Sequence, residues 1–309
     1  MAEGLRDAGV SASVAQAAVA RIAASPILDA GHRFAQHCRR LQLVQRLRPA
    51  LEAAAGRPGI ERVEGLDPRT FFARYYATAT PVVLTDLVPR WPAFGKWTPG
   101  YLREHFGQVE IEAVVGRESD PDYDMHTARL ARPMPLAAYL DRVEACGESN
   151  DVYFVANSRN IEREALLPLW DDVVIDPALL DPRRRAGSAA LWIGPAGTVT
   201  PLHHDTSNIL FCNVYGEKRF VLAGPWEEAL LGTLRGVYSR VDPEAVDPGL
   251  AQGLERVGWR TVTLAAGESL FLPAGWWHHV RALSVSINLA MTNFAAGNAF
   301  DWFRPGEVR

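Results

Sequence analysis

The chain reads Thr200-Pro201-Leu202-His203-His204-Asp205 at the start of its most strand-rich region and Trp276-Trp277-His278-His279 towards its end. In a β-strand, residues i and i+2 point to the same face, so His203 and Asp205 can face one metal ion. His278 would supply a third ligand from another strand. Two histidines and one carboxylate are the ligand set of non-haem iron sites that keep coordination positions open for a cosubstrate and dioxygen. A single His-x-Asp also arises by chance, so the flanking sequence decides whether this one is a pair of metal ligands.

Strand-like sequence flanks the first of these stretches on both sides. Apolar runs lie before it at 189–193 and after it at 209–215. A tight turn at Gly216-Glu217 leads into another apolar run at 218–222, which predicts a β-hairpin. Lys218 would then lie on the strand that runs back beside the first. Its charge fits either a solvated edge position or an inward position that holds a carboxylate.

The region from residue 186 to 293 has the pattern of an all-β domain. Further strands are predicted at 260–264, 269–272 and 284–291. Many short strands joined by glycine-rich turns are typical of the double-sheet jelly roll, or double-stranded β-helix. Helices are predicted before it, where Pro68 and Pro99 each follow a capping residue. We therefore expect an all-β core with flanking helices.

Residues 1–57 are rich in alanine, arginine and leucine and predict an N-terminal helical segment. A first helix ends before Pro26, and a second begins at Leu28, with apolar residues at three- and four-residue steps. This apolar stripe fits packing against the main domain or an interface between two copies of the chain. The Gly-Arg-Pro-Gly sequence at 56–59 indicates a boundary, so residues 58–309 form the second predicted domain.

The composition argues against several classes of protein. The 309 residues carry a formal charge of -4, with 48% hydrophobic and 22% charged residues, which is globular and lacks a broad basic footprint for nucleic acid. The three cysteines are scattered, which argues against a disulfide framework and for a reducing compartment. The N-terminus lacks an apolar signal core, and no run is long enough to cross a bilayer. We therefore expect a cytoplasmic chain with no membrane contact.

Three motifs resemble the JmjC-type, cupin-like oxygenases that depend on iron(II) and 2-oxoglutarate. They are Thr-Pro-Leu-His-His-Asp at 200–205, Val-Tyr-Gly-Glu-Lys-Arg at 214–219 and Gly-Glu-Ser-Leu-Phe-Leu-Pro-Ala-Gly-Trp-Trp-His-His-Val at 267–280. The resemblance covers about residues 60 to 295. Within this family, the chain most resembles the small bacterial members and the asparaginyl hydroxylase that inhibits the hypoxia-inducible factor. The resemblance implies a cupin barrel.

The resemblance assigns roles to the matched residues. It implies that iron(II) is bound by His203, Asp205 and His278, and that 2-oxoglutarate is the cosubstrate. Lys218 matches the lysine that binds the far carboxylate of 2-oxoglutarate in this family. Thr200 matches a hydroxyl residue that shares this carboxylate.

Further matches concern the surroundings of the cosubstrate. A tyrosine on an earlier strand matches Tyr153, although a shift of one residue would place Phe154 there. Asn288 would face the barrel if the last strand keeps its alternation. This chain departs from better-known relatives where they carry an asparagine, because Ile209 stands there and Asn208 lies one residue earlier.

The resemblance also implies a reaction. We expect a 2-oxoglutarate-dependent dioxygenase that hydroxylates a protein or peptide side chain, with a free amino acid or another small molecule as the alternative substrate. The rival from a different class is a cupin that binds metal without catalysis, which would not need Lys218 as a carboxylate holder. If the chain forms a homodimer, we expect the N-terminal helices to form its interface.

Overall fold

The structure is a computed structural model that describes residues 9–54, 56, 59–155, 159–231, 234–235, 237–245 and 253–298. Its contacts divide the chain into two units, Met1–Pro58 and Gly59–Arg309. The first unit contains helices α1 (Ala12–Ala23) and α2 (Pro26–Ala54). Pro26 opens α2, because the first position of a helix needs no backbone N–H. Helix α2 also continues through Pro49 and is therefore longer than its sequence predicts.

The second unit combines short helices with many strands. Its helices are α3 (Pro68–Phe71, continued by a π-helix at Phe72–Tyr76), α4 (Ala93–Lys96), α5 (Pro99–Phe106), α6 (Thr127–Leu130), α7 (Leu136–Ala145) and α8 (Glu228–Leu231). Short 3₁₀ segments occupy Val88–Arg90, Arg117–Ser119, Asn160–Glu162, Glu164–Asp172, Pro182–Arg184 and Leu254–Arg256. No helix in the described part of the chain combines the length and the apolar character needed to cross a bilayer.

The strands of this unit are numbered in chain order. They are β1 (Glu61–Val63), β2 (Val82–Leu84), β3 (Glu110–Val115), β4 (Ala131–Pro135), β5 (Val152–Tyr153), β6 (Ala189–Gly194), β7 (Val199–His203), β8 (Ile209–Tyr215), β9 (Lys218–Ala223), β10 (Leu234–Arg235), β11 (Tyr238–Ser239), β12 (Arg260–Leu264), β13 (Ser269–Leu272), β14 (Trp277–Ala282) and β15 (Ser286–Met291).

Two six-stranded sheets form the core of the second unit. One has the order β1-β2-β13-β8-β15-β6, and the other has the order β10-β11-β7-β14-β9-β12. From β6 to β9 and again from β12 to β15, each strand lies in the opposite sheet from the one before it. This alternation is that of a double-stranded β-helix, so the predicted all-β core with flanking helices is confirmed. A small third sheet, β4-β3-β5, lies outside this core.

The β-hairpin predicted over 209–222 is wrong. Strand β8 pairs with β13 and β15, whereas β9 pairs with β12 and β14 in the other sheet. The turn at Gly216-Glu217 therefore crosses between sheets. Gly216 has a φ of +78°, and a Cβ there would lie 2.0 Å from the carbonyl oxygen of Val285. A tight turn encodes a change of chain direction but not the partner of the next strand, which distant strands decide.

Strand β8 shows why the barrel strands read as continuous apolar runs. Leu210, Cys212 and Val214 belong to a core that includes residues of helices α3, α5 and α7. Phe211, on the opposite face, packs with residues from both barrel sheets, including Phe220. Both faces of the strand are therefore buried, which removes the polar alternation expected of a half-exposed strand.

The helices that cover this face begin where the capping pattern predicts. Before α3, the side chain of Asp67 accepts a hydrogen bond from the backbone N–H of Thr70 at 3.0 Å. Before α5, the Thr98 hydroxyl accepts one from the N–H of Tyr101 at 3.1 Å. Each cap satisfies a donor that has no partner within the helix.

Candidate metal centre and its cavity

The structure brings His203, Asp205 and His278 together. Strands β7 and β14 pair so that His203 and His278 are direct neighbours, with ring centroids 4.0 Å apart. Asp205 follows β7, and its Oδ2 lies 3.4 Å from Nε2 of His278 and 3.9 Å from Nε2 of His203. Each of the three residues offers one ligand atom, and these atoms all lie within 4.8 Å of one another.

Backbone carbonyls fix which nitrogen of each histidine faces Asp205. His203 Nδ1 donates to the carbonyl oxygen of Pro201 at 2.7 Å, and His278 Nδ1 donates to that of Trp276 at 3.0 Å. Because a carbonyl oxygen only accepts, each Nδ1 carries the proton and each Nε2 keeps its lone pair. Two lone pairs and a carboxylate therefore point to a common space, as a divalent cation requires.

The charges of this group also suit a metal. Burial lowers the pKa of His203 to about 4, and the neighbouring charge of His278 acts in the same direction. Burial raises the pKa of Asp205, but the adjacent His278 and His203 side chains, which favour its ionised form, outweigh this effect and give a pKa of about 2. At neutral pH, His203 is therefore neutral and Asp205 is ionised, which are the states that ligate a metal.

His204 points away from this group, as the alternation of a strand predicts. Its ring packs edge-on against Trp277, with centroids 4.8 Å apart, and only 6% of the residue is exposed. Within the described residues, its Nδ1 has no hydrogen-bond partner. His204 therefore acts as a packing residue in this structure.

A β-bulge places Thr200 on the same side of β7 as His203. The two residues are three positions apart, so a regular strand would turn them to opposite faces. The pairing with β14 shifts by one residue after the His203–His278 pair, so Pro201 and Leu202 share one partner on β14. Both Thr200 and His203 consequently line one cavity. Proline in a strand interior is a sequence signal for such a bulge.

This cavity has a volume of about 740 Å³ and also contains the three grouped side chains. Lys218 lies on its wall with 1% of its surface exposed, so the inward alternative applies and the edge alternative does not. The Lys218 ammonium donates to the Tyr153 hydroxyl at 2.7 Å. Burial lowers the pKa of Lys218 to about 7, and the charge of Arg117 acts in the same direction.

Tyr153, and not Phe154, lines the cavity. The backbone N–H of Phe154 donates to the hydroxyl of Tyr139 at 2.9 Å, and its side chain is buried in the core. Asn288 is fully buried but is not a lining residue, since its amide donates to Oδ1 of Asn213. Its contact with a cosubstrate stays a prediction.

The departure at Ile209 also has a structural counterpart. Ile209 lines the cavity, whereas the side chain of Asn208 accepts from the backbone N–H of Ala274 at 2.9 Å. Ile209 therefore gives the cavity an apolar wall at this position.

Two functional candidates were missed from the sequence, namely Arg117 and Asp124. Arg117 is fully buried, and its guanidinium donates to Oδ1 of Asn150 at 2.7 Å and to the carbonyl of Val199 at 2.7 Å. It also lies 5.0 Å from the centre of the Tyr153 ring. Asp124 lies 3.4 Å from Arg117, and burial raises its pKa to about 6 against the pull of that guanidinium. Isolated charges in a polar stretch give no periodic signal of burial.

The fold and this site agree with a comparison of the chain with known families. Residues 68–297 match the family described as the cupin-like domain, which is more than half of the chain. The chain belongs to the cupin-like domain family. The resemblance inferred from the three motifs is therefore confirmed, and every side chain of the grouped site lies inside the matched region.

Several curated proteins are similar to this cupin-like domain protein. It is 28% identical over 243 residues to lysine-specific demethylase JMJ30 of Arabidopsis thaliana, covering 75% of the chain and 54% of the relative. It is 26% identical over 229 residues to Jumonji C domain-containing protein 5 of Drosophila melanogaster, and this match covers 71% of the chain and 56% of the relative. It is 28% identical over 245 residues to the human bifunctional peptidase and (3S)-lysyl hydroxylase JMJD7, and this match covers 69% of the chain and 77% of the relative. The chain thus spans about half the length of the first two relatives.

Proposed function

We propose that this protein is an iron(II)- and 2-oxoglutarate-dependent dioxygenase that hydroxylates a side chain of a protein or peptide. The observation that carries the proposal is the position of Lys218, buried in the same cavity as the His–Asp–His group. No acidic side chain among the described residues forms an ion pair with it. A buried cation without an anion is costly, and a carboxylate of the cosubstrate would offset that cost.

The grouped residues fit iron(II) by donor type and by charge. His203 and His278 would offer Nε2 atoms, and Asp205 would offer a carboxylate oxygen, which is the ligand set of non-haem iron oxygenases. Iron bound there supplies the activation of dioxygen, one of whose oxygen atoms converts 2-oxoglutarate to succinate and carbon dioxide while the other enters a C–H bond of the substrate. The carbonyls behind both Nδ1 atoms hold the imidazole rings in the orientation that this ligation needs.

The far wall of the cavity fits the carboxylate of 2-oxoglutarate. A lysine ammonium has three N–H donors, so Lys218 can donate to Tyr153 and to a carboxylate together. Because the Tyr153 oxygen already accepts from Lys218, its O–H is left to donate to the same carboxylate. Thr200 lies in the same cavity and adds a further hydroxyl. Charge-assisted hydrogen bonds of this kind are stronger than neutral ones.

Apolar side chains complete the cavity. They include Phe211, Phe220, Leu272 and Val280, which are all buried. Such walls exclude water from a reactive centre and strengthen the electrostatic interactions inside it.

A turnover assay tests the proposal. The protein is loaded with iron(II) in the absence of oxygen, and it should form succinate from 2-oxoglutarate once air is admitted. When host-cell extract is included in this reaction, a component of the extract should gain the mass of one oxygen atom. Zinc(II) can bind the same ligands but has no redox chemistry, so the zinc-loaded chain should form no succinate. A product found among peptides supports the proposed substrate class, and one found among free metabolites contradicts it. Equal succinate formation with and without iron contradicts the enzyme assignment itself.

We propose further that residues 1–57 form a separate helical unit, that residues 58–309 form the oxygenase domain, and that two copies of the chain associate through α2. Along this helix, Ile27, Phe34 and Leu41 recur at seven-residue steps and are exposed. Light scattering should give the mass of two chains, and Phe34→Glu should give the mass of one. A wild-type chain that is monomeric at every concentration contradicts the interface.

We also propose a cytoplasmic location. The cysteines Cys38, Cys146 and Cys212 are all free in the structure, which suits a reducing compartment. Cell fractionation with detection of the intact chain checks this location.

A further inference from the structure

A second pocket of about 320 Å³ lies next to the metal cavity. Asp122, Asp124 and Asp242 supply three carboxylates to its lining, and His279 supplies a ring, so we call it the acidic pocket. Asp124 and Tyr238 line both the acidic pocket and the metal cavity. A group in one space is therefore a direct neighbour of a group in the other.

The β-bulge that places Thr200 in the metal cavity also forms this pocket. Pro201 and Leu202 occupy the bulge, and both line the acidic pocket together with His279 of β14. Because successive residues of a strand point to opposite sides, His278 faces the metal cavity and His279 faces the acidic pocket. One irregularity of β7 thus builds the walls of two adjacent spaces.

Two polar side chains of the acidic pocket have unpaired atoms. His279 is 1% exposed, and neither of its ring nitrogens has a hydrogen-bond partner within the described residues. Its Nε2 lies 3.8 Å from Oδ1 of Asp242, which is beyond hydrogen-bond length. Oδ2 of Asp124 is likewise buried without a partner in the described chain, while its Oδ1 faces Arg117. Buried polar groups are nearly always paired, so these atoms require a partner, which is either water or a polar group of a ligand.

The charge and the spacing of these groups define the chemistry of that ligand. Three carboxylates and one guanidinium, that of the exposed Arg240, lie in the lining, and Arg117 behind the lining pairs with Asp124. One negative charge is left over, so the pocket favours a cation. Among the described residues, its acidic groups do not form a cluster of three ligand atoms within 4.8 Å. The acceptors are therefore too dispersed for one metal ion. A guanidinium presents five N–H donors over a planar fork and can reach separated acceptors.

We propose that the acidic pocket is a subsite for a cationic group, a guanidinium, that lies on the substrate beside the position to be oxidised. The inference rests on the proposed function only in naming the cation as part of the substrate. The binding of the cation requires neither iron nor 2-oxoglutarate. Asp242 lines this pocket and not the metal cavity, so a substitution of Asp242 tests the acidic pocket alone.

Calorimetric titration of the intact chain with N-acetyl-arginine amide and N-acetyl-citrulline amide tests the subsite. Citrulline keeps the shape of arginine and lacks its charge, so the arginine probe should bind at least about five-fold more tightly. Asp242→Asn should remove this preference. The asparagine keeps the side-chain oxygen that accepts from the N–H of Glu244 at 2.9 Å, so the local turn is retained. Asp171→Asn changes an exposed carboxylate that lines neither space, and it should behave as wild type.

Three results would overturn the subsite. They are equal affinity for both probes, an unchanged preference in Asp242→Asn, and displacement of the arginine probe by 2-oxoglutarate with zinc(II). The last would place the probe in the metal cavity. The outcome is independent of turnover. If the arginine preference holds and no succinate forms with iron, the proposed function fails and the cation site stands. If succinate forms and the preference is absent, the subsite fails and the function stands.

Discussion

Exchange of His203 for phenylalanine is expected to lower both the bound iron and iron-dependent succinate formation by at least about a hundred-fold. Phenylalanine keeps the size of the ring and removes the Nε2 that faces Asp205. Loss of a group that only supports a metal ligand costs about 10- to 100-fold in metal affinity, so loss of a ligand should cost no less. Iron can be measured with a colorimetric chelator after reconstitution without oxygen, and succinate by mass spectrometry.

The neighbouring histidine provides a matched control. His204→Phe makes the same chemical change one residue away, where the ring packs on Trp277 and its Nδ1 lacks a partner in the described structure. This variant should retain iron and turnover. If His203→Phe retains both, the metal assignment is wrong. If His204→Phe loses both while its circular dichroism matches wild type, the strand alternation has been assigned to the wrong face.

The contrast between these two histidines shows what the sequence can predict at this site. The direction of a side chain along a strand depends on a local period of two residues, so His203 and Asp205 could be paired from their spacing. His278 lies far along the chain, and its pairing with His203 depends on the register of β7 and β14. No local pattern encodes that register. The sequence offers His278 as a candidate ligand, and the resemblance to a family supports that assignment.

Features that depend on pairing between distant strands could not be predicted from the sequence for the same reason. The local sequence around Gly216 fits a hairpin between β8 and β9, but the partners of β9 are β12 and β14. Lys218 therefore enters the cavity from the sheet that does not contain β8. Pro201 is a local signal for a bulge, but the register shift that the bulge produces depends on the opposite strand, β14. Arg117 is buried by groups contributed from separate segments, including Asn150 and Val199. Each of these is a tertiary effect that overrides local preference.

Lys218→Met is expected to weaken the binding of 2-oxoglutarate about a hundred-fold while leaving iron binding unchanged. Removal of one partner of a buried, hydrogen-bonded charge pair costs about 2–5 kcal/mol, and a hundred-fold loss corresponds to about 2.7 kcal/mol. Methionine suits the site sterically, because the lysine already lies near the rings of Phe211 and Tyr153. Calorimetric titration of the iron-loaded chain with 2-oxoglutarate in the absence of oxygen measures the effect.

The chain contains one other lysine, which supplies the control. Lys96 pairs with Asp172 at 2.6 Å and lines neither the metal cavity nor the acidic pocket. Lys96→Met removes the same charge and should leave the affinity for 2-oxoglutarate unchanged, even where it lowers the melting temperature. Equal losses in both variants would mean that the charge of Lys218 acts through stability and not through the cosubstrate.

The same lysine sets the expected pH dependence of cosubstrate binding. Burial, assisted by the charge of Arg117, lowers the pKa of Lys218 to about 7, so the free chain loses this charge as the pH rises through neutrality. Only the protonated lysine attracts a carboxylate, so the affinity for 2-oxoglutarate should be full below about pH 6 and should fall about ten-fold per unit above about pH 7. His203 and Asp205, with pKa values of about 4 and about 2, keep one protonation state across this range. Asp124, with a pKa of about 6, also lines the cavity but is mostly ionised above pH 7, so the decline above that pH belongs to Lys218 and should be absent from the residual binding of Lys218→Met. A wild-type affinity that stays constant between about pH 6 and pH 9 would mean either that Lys218 keeps its charge over this range or that it does not bind the cosubstrate, and the affinity of Lys218→Met separates these two cases.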